Sequence, residues 1–230
     1  MNQPLGDLQQ QVEEFGQEMA GLLCATLPGL PEPPVEILRR DERFIIRPPD
    51  GRPLPLHVKG QILASMKLSV ACELDSAAQY LAVKESTFDL LAVLDRTPVL
   101  RIHYLREPQG PPTAHVHFHG HRGALSHLLS QAGHPHPHDV SSLHIPVGGS
   151  RFRPCLEDFI QFLVAECRFD AQDGWKGHVE AGRERWRCRQ AAAVARDVPE
   201  EAARVLRELG YTVEAPDPRP AASAKALRNW

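Results

Sequence analysis

The sequence predicts an α+β fold: an antiparallel β-meander of about five or six strands, with an N-terminal helix and C-terminal helices packed mainly on one face. Three observations predict it. Apolar residues recur at spacings of three and four over 4–26, at spacings of two from 35 to 121, and at helical spacing again beyond 122. The connections inside the middle stretch are too short for parallel crossovers, so its strands must run antiparallel. A chain of 230 residues with 42% hydrophobic and 24% charged content has enough apolar material for one substantial core. Residues 1–214 therefore read as a single domain. It comprises a helix and linker (1–30), a sheet (35–121) and a helical half (122–214), and 215–230 has the composition of a disordered tail.

Within residues 4–26, Leu5, Leu8, Val12, Phe15, Met19 and Leu22 form a narrow helical seam. About three heptads is short for an independent coiled coil, so the seam is expected to pack on the protein's own body. LPGLPEPP (27–34) ends the helix, because proline removes backbone donors and restricts the residue before it. The strand candidates are RFIIR (43–47), ILASMKLSVACEL (62–74), QYLAVK (79–84), TFDLLAV (87–93) and VLRIHYL (99–105). They are separated by PPDGRP, ELDSAA, a tight Glu85–Ser86 corner and DRTP. In 62–74, Ile62, Ala64, Met66, Leu68, Val70, Cys72 and Leu74 share one side, while Ser65, Lys67, Ser69 and Glu73 share the other. The loop REPQGPP (106–112) leads to a last strand, 114–120.

Beyond it lie a short helix (123–132), a proline-punctuated loop (133–139) and a brief extended piece (142–147). A core helix begins at Pro154, with Leu156, Phe159, Ile160, Leu163, Val164 and Cys167 in one stripe. An arginine-rich helix (174–195) follows. The final helix (198–213) has Asp197 as cap and Gly210 as stop, and a short terminal strand closes the domain.

A net charge of −3 gives no global attraction to nucleic acid or to an anionic membrane. Arg183, Arg185, Arg187 and Arg189 spread round their helix instead of forming one stripe, so nucleic acid is not an expected partner. No apolar run is long enough to span a bilayer, and no secretory leader is read at the start. Five cysteines, an odd number with no C-x-x-C pair, suit a reducing cytoplasm. Only five of the 26 basic residues are lysine and only two residues are asparagine, a bias of high-GC bacterial genomes.

The chemistry-bearing stretch is HVHFHGH (115–121). Period two places His115, His117, His119 and His121 on one face of a strand, with Val116 and Phe118 on the other. Three readings follow. The first is a solvated polar face in a non-enzymatic cytoplasmic interaction or regulatory module, monomeric or dimeric, with a protein partner or a small phosphate-containing ligand. The second is a divalent transition metal held by His115, His117 and His144. The full run spans about 20 Å, too far for one ion, so a metal site must recruit His103, His127, His144, Asp139 or the His134/His136/His138 loop. No other cofactor is expected. The third rests on a resemblance. HVHFHGH resembles the His-φ-His-φ-His-φ-φ signature of the histidine-triad nucleotide hydrolases and transferases, departing from it at Gly120 and His121. That resemblance implies His117 as nucleophile on an α-phosphate, flanked by His115 and His119.

A second cluster is SSLHIPVGGSRFRPCLEDF (141–159). Gly148 and Gly149 with Arg151 and Arg153, just before a helix start, compose a candidate anion site. The alternative is a tight turn whose arginines pair with Glu157, Asp158 or Glu166. From VHFHGHRGA through LHIPVGGSRFRPCLEDFIQFL to RERWRCRQ the chain resembles a family of actinobacterial proteins without an assigned activity, and the resemblance supplies no catalytic residue.

Overall fold

The computed structural model describes the chain except residues 1–2, 42, 75–79, 94–96, 109–110, 121–122, 132–133, 143, 148–152 and 229–230. Helix α1 (Gln3–Thr26) follows the apolar seam. Leu8, Val12, Met19, Leu22 and Leu23 are buried in the common core and Phe15 is packed against it. The seam therefore binds within its own chain. At the end of the helix Thr26 Oγ1 donates to the Leu22 carbonyl at 2.7 Å, which lets a hydroxyl stand fully buried.

The sheet is wholly antiparallel and has eight strands: β1 (Glu36–Arg40), β2 (Arg43–Arg47), β3 (Leu54–Val58), β4 (Gln61–Leu74), β5 (Leu81–Ala92), β6 (Pro98–Leu105), β7 (Ala114–Phe118) and β8 (Ile145–Pro146). Its order is β1-β2-β4-β5-β6-β7-β8, and β3 shares one edge of β4 with β2. Three of these strands, β1, β3 and β8, lie outside the strand candidates of the sequence. The five residues of β1 and of β3 lie in proline- and arginine-rich sequence that masks their alternation, and β8 is two residues long.

Strand β4 buries Ala64, Met66, Leu68, Val70 and Cys72, the predicted side. Ile62 departs from the prediction, being 58% exposed. The cause is a bulge: Leu56 pairs with Ala64 but His57 pairs with Ile62, so Leu63 is an extra residue and the alternation reverses before it. The expected Glu85–Ser86 corner is likewise a bulge and not a turn. β5 runs unbroken through it, with Ala71 opposite Glu85 and Cys72 opposite Val83, which leaves Lys84 as the extra residue. One inserted residue breaks period two as a turn would, which is why the sequence suggested two strands.

Helix α3 (Leu156–Gln161) continues as a wider π-turn over Phe162–Glu166. It buries Leu156, Phe159, Ile160 and Leu163, and Phe159 stacks on Phe88 of β5 with ring centroids 5.8 Å apart. Helix α4 (Trp175–Asp197) is mostly solvated. Its arginines face neighbours on different sides: Arg183 pairs with Asp158 at 2.8 Å, and Arg189 grips Glu18 of α1 with contacts of 2.6 and 2.7 Å. Asp197 ends α4, and Val198 stands at the N-cap of α5 (Pro199–Glu208), correcting the expected Asp cap. Gly210 takes φ +90° as the expected stop, but 211–216 form no strand. The tail carries a short helix, α6 (Ala224–Arg228), and the Ser223 amide donates to the Asp197 carbonyl. Among the described residues, no helix is long and apolar enough to cross a membrane.

Helices α1, α3 and α4 contribute to one hydrophobic cluster on the Met66 side of the sheet. The opposite side is polar, and a 3-10 turn (Val140–Ser142) packs there on β7; a short helix α2 (Gly123–Gln131) lies between the two in the chain.

Candidate metal centre

Alternation and register together build the site. On β6, Leu100, Ile102 and Tyr104 face the core, so Arg101 and His103 face the polar side. On β7, Val116 packs against the core and leaves His115 and His117 on the polar side. Pairing places His103 directly opposite His115, and Arg101 opposite His117. Two rows then cross the sheet. One reads Ser69, Thr87, His103, His115, and the next reads Lys67, Asp89, Arg101, His117. His144 arrives from the segment before β8, whose Pro146 pairs with His115.

Four imidazoles converge. Ring centroids lie 5.0 Å apart for His103–His115, 4.8 Å for His115–His117, 4.8 Å for His115–His144 and 4.7 Å for His117–His144. For His103, His115 and His117, one ring nitrogen each lies within 4.8 Å of the others. A tetrahedral ion with bonds of about 2.0–2.1 Å holds its donors about 3.4 Å apart, so a group within 4.8 Å is near the spacing that one ion needs. His115 is 1% exposed, while His144 is exposed and stands at the mouth of the cluster.

The second nitrogen of each ring decides what the first can do. His115 Nδ1 lies 2.6 Å from the Pro112 carbonyl oxygen, and His117 Nδ1 lies 2.7 Å from that of Ser141. A carbonyl only accepts, so in both rings Nδ1 carries a proton, and in the neutral form Nε2 is the nitrogen that presents a lone pair. His103 Nε2 lies 3.2 Å from the Glu85 carboxylate, which leaves Nδ1 as its donor atom. The Ser141 carbonyl is aimed by a local knot. Asp139 Oδ1 accepts from the Ser141 amide at 2.9 Å and from its hydroxyl, and Ser142 Oγ donates to the Asp139 carbonyl at 2.6 Å.

Burial is the leading cause that holds His103, His115 and His144 below the ordinary histidine range, and for His115 it reaches about 4. Glu85 and the Pro112 carbonyl oppose the effect on His103 and His115 without cancelling it. These three rings are therefore neutral near pH 7, the form that binds a metal.

Of the residues singled out by sequence, His115, His117 and His144 come together, and His103 joins them from the neighbouring strand. His119 lies past the last residue of β7, though its amide still donates to the Val99 carbonyl at 3.1 Å. His121 lies outside the described residues, as do Gly148, Gly149 and Arg151 of the candidate anion site. Arg153 is buried: its guanidinium lies 4.8 Å from the Tyr104 ring and 4.3 Å from the Trp186 ring, and it donates to Ser86 Oγ at 3.2 Å. Cys155 is 2% exposed and burial pushes its thiol up, which fits a core residue and not a nucleophile. Sequence reasoning named His103 as a possible extra ligand, but it missed Glu85 and the Asp89–Arg101 pair. Alternation in VLRIHYL puts Arg101 and His103 on one face; only the strand register brings them to the β7 histidines.

No protein-family model, no curated protein and no solved structure matches the chain.

Proposed function

We propose that the protein binds one divalent transition-metal ion, of the zinc class, through His103, His115 and His117, with His144 beside the fourth position. The observation that carries this reading is the pairing of ring nitrogens. Each of the three imidazoles has one nitrogen tied to a carbonyl or carboxylate, and one ring nitrogen of each lies within 4.8 Å of the others. Such outer partners fix tautomer and orientation at histidine metal sites. Imidazole donors suit zinc, copper, iron or nickel and disfavour the oxygen-seeking calcium and magnesium. A bound ion would supply Lewis acidity and a water of lowered pKa at the position beside exposed His144. This organised cluster places the metal reading ahead of an interaction or regulatory module with a merely solvated histidine face.

The test is elemental analysis of untagged protein after zinc reconstitution and dialysis. One zinc per chain is expected, with loss in His117→Asn and His103→Gln. Replacing His134, His136 and His138 together with Asn should leave the ion in place. Failure of the wild type to retain stoichiometric metal overturns the proposal.

A second reading is favoured by one observation. The Ser141 carbonyl anchors Nδ1 of His117 and leaves Nε2 as the nitrogen available for attack, as a nucleophile in a histidine-triad-like hydrolase requires. Metal-free protein that hydrolyses a nucleoside phosphoramidate, with activity abolished in His117→Asn, would establish it instead.

A further inference from the structure

The charged row beside the histidines indicates what such an ion binds in its open position. Lys67, Asp89, Arg101 and His117 face one another strand by strand across β4, β5, β6 and β7. Asp89 is 2% exposed, and Arg101 donates to both of its oxygens, Nε to Oδ1 at 2.7 Å and Nη2 to Oδ2 at 2.8 Å. This two-point pair fixes the guanidinium plane and uses two of its five N–H groups. The Arg101 side chain is 38% exposed, so the oriented cation is reachable from solvent next to His117.

Charge count adds a second argument. The row of Lys67, Asp89 and Arg101 has two cations for one carboxylate, and a divalent ion beside His117 adds to that positive charge. Resting on the metal reading above, we infer that the centre binds an oxyanion group, phosphate or carboxylate, with one oxygen on the ion and another on Arg101. Asp89 is then a positioning residue, holding the guanidinium in the plane that meets the anion. Arginine suits this task better than lysine because its planar fork reaches two oxygens from a fixed direction.

The test uses full-length protein loaded with Co(II), whose visible absorption responds to a change of ligand. Inorganic phosphate and acetate are titrated separately. At least one should shift the bands saturably, and the stronger of the two identifies the source of the oxyanion. Arg101→Lys, which keeps Asp89 paired, should bind one Co(II) per chain and weaken that anion by about tenfold, the loss of one charge-assisted contact. The double variant Asp89→Leu with Arg101→Met removes both halves of the ion pair and should weaken it at least as much. Cobalt uptake with no response to either anion, or equal anion affinity in wild type and both variants, overturns this inference and leaves the metal centre standing. No cobalt uptake by the wild type overturns both.

Discussion

Protonation of His115 should destabilise the metal-free fold in acid, by an amount the structure allows us to work out. The ring is 1% exposed, and burial holds its pKa at about 4 against an ordinary 6.5. An unfolded chain titrates this residue near the ordinary value. Above pH 6.5 both states are neutral and the folded state keeps its full advantage. As pH falls the unfolded chain takes up the proton first, so stability declines, and the loss is complete once pH passes below about 4. The interval between 6.5 and about 4 corresponds to about 3 kcal/mol, a large share of the roughly 5–15 kcal/mol that stabilises an ordinary domain. His103 and His144 are shifted in the same direction, so the wild type should be steeper than a single histidine accounts for. His115→Leu removes one proton from that slope. The assay is urea unfolding of chelator-treated wild type and His115→Leu from about pH 7 to about pH 4. The stability difference between them should move in favour of the variant by about 2–3 kcal/mol across this range. The offset at neutral pH is immaterial, because it includes the lost bond to Pro112. Parallel curves would refute a buried, neutral His115.

Three further outcomes follow from the packing. Met66→Asp and Val70→Asp, at positions 0% and 2% exposed, should each prevent folding by burying an unpaired carboxylate, as circular dichroism will report; Ser69→Asp on the polar side should fold, and equal damage from all three would mean that both faces are core. Deleting residues 1–26 removes five buried apolar side chains worth about 1.5–3 kcal/mol each and should yield aggregated protein in gel filtration, whereas conversion of a full-length dimer to a well-behaved monomer would make the seam an intermolecular one. Gly29→Ala should lower Tm more than Gly60→Ala: both have positive φ, +70° and +76°, but a Cβ on Gly29 would stand 2.6 Å from the His57 ring while Gly60 has open space, so equal losses would refute the clash.

Periodicity was legible wherever one element met one face. Leu8, Val12, Met19 and Leu22 marked α1, and Ala64 through Cys72 marked the buried side of β4, because burial on one side imposes a regular spacing. Legibility failed at Lys84 and Leu63, where a single extra residue inverts the alternation without any turn chemistry. It failed also for LPLHV in β3, where Pro55 and the preceding Pro53 read as a connector although the strand pairs with an edge of β4. At the candidate site, the common face of His115 and His117 was visible in the sequence, and His144 was among the proposed ligands. His103 was also among the residues such a site could recruit, but its place directly opposite His115 was not legible, because register between β6 and β7 depends on a loop of irregular sequence. The carbonyls of Pro112 and Ser141, which assign the tautomers, have no side-chain signature at all.

The closure of α1 by the far end of the chain sets a schedule for biosynthesis. Glu18 meets Arg189, and the Thr26 carbonyl accepts from the Gln172 amide, so the first helix is finished by segments made about 150 residues later. At about 5–20 residues per second, the ribosome takes on the order of ten seconds to half a minute to deliver them. Small domains commonly fold in less time than that. During the interval the emerging sheet offers α1 only part of its eventual surroundings, and its apolar stripe waits beside the exit tunnel for Leu156, Trp186 and their neighbours. Order of synthesis and order of completion thus differ between α1 and the segments that close it.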